Sequence, residues 1–134
     1  GYELLKATMF GFGYPNYGVA LLLKEEATGK IFLQRVKITG SNAKPRILEI
    51  FKDEVIGLPG IPTVSALPLN GPEYMFFAVD KNVYCLDLNN ITKPVTLYKS
   101  FDANVECRIG NILVCSHGGR VGKWRVLYIN DLRC

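Results

Sequence analysis

Three times along this chain an apolar run meets a short turn bearing Gly or Asn and passes straight into a second alternating run. Residues 19–24 lead into 31–38, Tyr74–Val79 into 83–88, and 112–116 into 124–129. One such pair of strands cannot bury its own apolar face. Neighbouring units must therefore stack, and the stacking dictates the architecture.

Period-2 alternation runs through each unit. Over residues 31–38, Phe32, Gln34, Val36 and Ile38 fall on one face and Ile31, Leu33, Arg35 and Lys37 on the other, one a core face and one mixed. Tyr84, Leu86 and Leu88 oppose Val83, Cys85 and Asp87. Trp124, Val126 and Tyr128 oppose Arg125, Leu127 and Ile129, which makes Trp124 a core residue. No segment carries a 3.6-residue apolar stripe. The nearest rival is residues 44–56, but Pro45 precedes the β-branched and aromatic Ile47, Ile50 and Phe51, so a strand over 46–51 is expected there.

Aligning the units gives four short strands apiece: 3–10, 19–24, 31–38 and 46–51; then 63–67, 74–79, 83–88 and 95–101; then 104–109, 112–116 and 124–129, with no fourth. The expected fold is all-β, antiparallel four-stranded meander units forming about three blades of a partial β-propeller. The units are expected to cover about residues 3–51, 61–101 and 104–132 of a single domain, expected in turn to be the C-terminal part of a longer protein; a start at Gly1 rather than Met reads as a mature, trimmed or engineered piece, from which any leader would already be gone. Turn chemistry supports the division. Asn82 in Asp80-Lys81-Asn82, Gly29 in Ala27-Thr28-Gly29 and the glycines of His117-Gly118-Gly119 all tolerate a left-handed backbone. Between the first two units, Pro59, Pro62, Pro68 and Pro72 mark a crossing that cannot join a ladder.

The stretch Tyr74-Met75-Phe76-Phe77-Ala78-Val79-Asp80-Lys81-Asn82-Val83-Tyr84-Cys85-Leu86-Asp87-Leu88, followed by Val95-Thr96-Leu97-Tyr98, resembles the blade of PKD-like lipoproteins of Bacteroides-type bacteria. The likeness is best over residues 63–132. It implies a C-terminal propeller behind an immunoglobulin-like domain and a lipidated N-terminus, and so an exported protein, anchored at the outer membrane or periplasmic. It brings no catalytic residues to this chain.

Composition narrows the function classes. The chain has 134 residues, 49% hydrophobic and 21% charged, enough apolar material for a folded core. Its net charge of +4 is spread singly over Lys6, Lys24, Lys30, Arg35, Lys44 and Arg46 rather than along a stripe, which argues against nucleic acid as a partner. The aliphatic run 19–23 is far shorter than the roughly 20 residues of a transmembrane helix. Four cysteines, Cys85, Cys107, Cys115 and Cys134, make no CxxC pair for zinc. Three of them sit in strand patterns, and all four are expected as free thiols.

No catalytic constellation is legible. The single histidine, His117, has only Ser116 or Ser65 and Asp131 or Asp102 to recruit, from unrelated positions, and reads as a turn residue. Asp80, Asp87, Asp102, Glu106 and Asp131 read as solvated strand-end carboxylates. Gly11-Phe12-Gly13-Tyr14 has no helix behind it and is no phosphate cradle. The expected catalytic, metal and cofactor sites are therefore none. The one aromatic and polar loop places Tyr14, Asn16 and Tyr17 as the binding candidates, suited to stacking on a sugar ring or a protein patch. The expected function is a non-catalytic interaction or ligand-recognition module meeting a protein or glycan at the cell surface. A glycan-active enzyme with residues partly outside this chain is the alternative. Open sheet edges at both ends add the expectation of a homodimer.

Overall fold

The computed structural model describes residues 1–11, 17–41, 43–66, 74–101, 104–109, 112–115 and 125–128, with side chains described for 1–8, 18–40, 43–66, 74–101 and 104–106. Every regular element among them is a strand, and every pairing is antiparallel. The chain divides into two compact units, Gly1–Ile56 and Gly57–Cys134.

The first unit is one meander of β1 (Tyr2–Gly11), β2 (Tyr17–Glu25), β3 (Ile31–Ser41) and β4 (Lys44–Glu54), paired in that order. The stretch with helical rivals is thus strand β4. Both faces of β3 contribute buried residues: Leu33 is fully buried on the side expected to be mixed, and Val36 is buried on the other. The β2–β3 turn closes through Gly29 at φ 76°, with the Gly29 N–H donating to the Glu25 carbonyl at 2.8 Å. Opposite Pro45, Gly40 holds φ 91°; a Cβ there would lie 2.5 Å from the Lys44 carbonyl oxygen, so only glycine fits the close approach.

The second unit contains two sheets. Strands β5 (Val64–Ala66), β6 (Tyr74–Val79), β7 (Asn82–Asp87) and β8 (Thr96–Ser100) form a second four-stranded meander. A three-stranded sheet follows, ordered β11 (Arg125–Tyr128), β10 (Ile112–Cys115), β9 (Val105–Ile109). Strand β6 is buried on both faces: Phe76 and Ala78 on one, Met75, Phe77 and Val79 on the other. Its uniform apolarity reflects this two-sided burial, the pattern of a strand covered above and below.

The β6–β7 hairpin corrects one expectation. Val79 pairs with Asn82, so Asn82 is already a strand residue, and the left-handed residue is Asp80, at φ 53°. Asn82 instead uses its side-chain oxygen to accept the Ser100 hydroxyl at 2.7 Å. Backbone groups of the turn bond onward: the Asp80 carbonyl accepts the N–H of Val105, in the next sheet, and the Lys81 carbonyl accepts the N–H of Phe101, just past β8, each at 2.8 Å. The Thr63 hydroxyl donates to the Val105 carbonyl at 3.1 Å, and β5 packs beside β9. One core joins Val64, Ala66, Phe76, Ala78, Val83, Cys85, Phe101 and Val105.

A second correction concerns the cysteines. Cys85 is disulfide-bonded, not a free thiol, and it sits in that core, 3% exposed. Alternation within β7 identified a buried position correctly but carried no information on which other chain segment would lie across from it.

Candidate functional site

Strand β7 ends at Asp87, whose carboxylate Oδ1 accepts the Asn89 N–H at 2.9 Å while its carbonyl accepts the Asn90 N–H at 3.2 Å. Asn90 repeats the device three residues on. Its side-chain oxygen accepts the Thr92 hydroxyl at 2.9 Å, and its carbonyl accepts the Lys93 N–H at 3.1 Å. Asp and Asn serve here because their short polar side chains imitate a backbone turn. Ile91, inside the second of these turns, is buried. Gly57, at φ 91°, lies so close that a Cβ there would touch Pro94 at 3.4 Å.

Tyr74 pairs with Asp87 across β6 and β7, and Cys85 pairs with Thr96 across β7 and β8. Directly opposed residues share a face, and so do Cys85 and Asp87 at a spacing of two. With Lys93 and Pro94 from the loop, these four line a cleft of about 270 Å³. Its base is the core, where Tyr74 packs against the cluster containing Cys85 and Phe76. The lining offers a carboxylate, an ammonium and two hydroxyls around the apolar surface of Pro94 and the Cys85 sulfur. Among the described residues no ion pair joins Asp87 to Lys93. Among the described residues a single carboxylate, Asp87, lines the cleft.

Two ionisable groups elsewhere are displaced. The carboxyl of Glu25 is held below its ordinary range, first by the Thr28 hydroxyl at 2.6 Å, then by the Tyr2 hydroxyl at 3.1 Å, with Lys30 assisting. Burial lowers the Arg35 guanidinium. Both belong to the first unit's sheet: Glu25 closes a hairpin, with Tyr2 also edge-on to Phe32 and under the Lys52 ammonium. Among the described residues no cluster of three His, Cys, Asp or Glu could hold a metal ion, and no helix is long and apolar enough to cross a membrane.

Of the binding candidates read from the sequence, Tyr14 and Asn16 lie outside the described residues. Tyr17 is not a loop residue but the first of β2, paired with Gly11 and Ile38, and its side chain is outside the described set. His117, Ser116, Trp124, Asp102 and Asp131 also lie outside it. Asp80 is a turn residue, as expected. Asp87 is where reading by residue type fell short. A strand-end carboxylate looked merely solvated, yet the Asp-x-Asn-Asn sequence signals a folded turn that brings Lys93 and Pro94 back to it. Tyr74 and Thr96 give no comparable signal, since only strand register brings them to the cleft.

Comparison of the chain with protein-family models, curated proteins and solved structures found no match.

Proposed function

We propose that this chain is a blade-built, non-catalytic recognition module of an exported bacterial surface protein, held at the outer membrane or in the periplasm and meeting a protein or glycan there. The observation that carries the reading is the small mixed cleft over a disulfide-closed core. Its lining suits binding, and a buried disulfide suits an oxidising compartment. The propeller interpretation draws on the four-stranded meanders and on the step from β5 to β9, an inner strand beside the next inner strand. Likeness of residues 74–98 to PKD-like lipoprotein blades supports the same location. Edge-to-edge pairing of two copies belongs to this reading as well, with a dimer expected by light scattering.

Two measurements test it. Sent to an oxidising periplasm, the chain is expected to fold with its disulfide formed, whereas cytosolic material yields less soluble protein; equal yield and stability from both removes the compartment argument. Arrays of glycans and surface proteins should give saturable binding without turnover. Release of product from any glycan would replace this reading with an enzyme.

A further inference from the structure

The geometry points to the cleft between the ends of β6, β7 and β8 as a binding site for one neutral sugar ring, held by Asp87, Lys93, Thr96 and Tyr74. This inference rests on the recognition reading and specifies its ligand.

Size is the first constraint. At about 270 Å³ the cleft falls just under the ~300 Å³ at which sites for drug-sized molecules begin, so it takes a single small ring rather than an extended peptide. Charge is the second. Among the described residues one carboxylate and one ammonium line it, a balance with no net sign to draw a phosphate or a polyamine. A free amino acid would match both signs, but Lys93 is exposed, and ion pairs made in such a setting contribute little. Neutral hydroxyls match the lining better. A carboxylate accepts from sugar hydroxyls in charge-assisted bonds, the ammonium and the Thr96 and Tyr74 hydroxyls donate to ring substituents, and Pro94 offers an apolar surface to the ring's C–H groups. Preorganisation is the third. Asp87 is fixed by its own turn through Oδ1, and Thr96 and Tyr74 stand on paired strands, so little ordering remains to be done on binding.

The test is an amide-resolved NMR titration of the full chain, kept oxidised, with methyl β-glucopyranoside, methyl β-galactopyranoside and N-acetylglucosamine. Glucuronate, spermidine and glycine serve as anionic, cationic and zwitterionic controls. At least one neutral sugar is expected to give saturable shifts at Tyr74, Asp87, Lys93 and Thr96, with the controls silent. Asp87→Asn keeps the turn acceptor but loses the charge, and is expected to weaken binding about tenfold; Thr96→Val, which retains the strand, should weaken it as well. Urea midpoints within error of the parent show that each variant is folded. Absence of saturable shifts with every neutral sugar overturns the proposal, as does tighter binding of glycine or either charged control. Shifts gathered around residues 12–17 overturn the placement and leave a recognition module. New reducing-end signals would overturn the non-catalytic reading and leave the cleft as the sugar site.

Discussion

Asp80 holds a left-handed backbone, φ 53°, at a turn whose carbonyl also receives the Val105 N–H. Asp tolerates that conformation because its side chain can bond locally, whereas a β-branched residue cannot relax there. Asp80→Gly is therefore expected to leave the urea midpoint nearly unchanged, and Asp80→Val to cost about 1–2 kcal/mol. Gly29 and Gly40 separate two costs that usually come together. Both have positive φ, but a Cβ at Gly29 meets nothing within 4 Å, while one at Gly40 meets a carbonyl oxygen at 2.5 Å. Gly29→Ala should cost about 1 kcal/mol from conformation alone, and Gly40→Ala about 2–3 kcal/mol, since backbone must also move. Equal losses by urea denaturation would show that the β3–β4 turn is looser than its geometry. Glu25 sets a pH dependence. Its folded carboxyl is lowered by Thr28, Tyr2 and Lys30, so its contribution is full above the unfolded-state value and is lost as pH falls through the folded one. Glu25→Gln should flatten that acid limb by lowering stability near neutrality while leaving it little changed at acid pH, as urea denaturation at the two pH values would read.

At the scale of the element, β6 bears the most. Phe77 is fully buried, and Phe77→Ala should cost about 3–5 kcal/mol by chemical denaturation. Strand β7 adds the disulfide at Cys85, so thiol titration under denaturant should count two free cysteines, not four. A count of four would remove the disulfide and the compartment argument with it. Strand identities were legible in the sequence because period-2 alternation and turn residues act locally; β2, β6 and β7 fall within one or two residues of their expected bounds, while β3 runs three residues past its expected end. Which face is core was less legible. Leu33 is buried beside Arg35 because sheets here bury residues on both sides, and a one-sided pattern is the signal that alternation detects. The cleft was hidden for a related reason. Tyr74, Asp87 and Thr96 meet through the register of three strands, a long-range property that no local spacing encodes.

For the whole molecule, outer strands matter as much as cores. Strand β4 lies at an edge and exposes Ile47, Leu48 and Ile50, yet it also carries Lys44, Pro45, Arg46 and Lys52 and a register break opposite Arg35 and Val36. Charge, proline and bulges all discourage addition of a foreign strand. A Pro45→Val/Lys52→Val double variant is thus expected to raise light scattering on storage without lowering the unfolding free energy, read by urea denaturation, by more than about 1 kcal/mol. The strand with the greater hazard is an interior one. Tyr74–Val79 is six residues, uncharged and free of proline, the composition of a self-stacking fibril segment. In the finished fold β5 and β7 occupy both of its ladder edges. On a ribosome, however, β7 does not yet exist when β6 emerges. Because the hairpin turn is only Asp80-Lys81, the eight residues 80–87 complete the pairing, about a second of synthesis at roughly 5–20 residues per second. The tightness of that turn sets how briefly the segment stands bare to a neighbouring nascent chain.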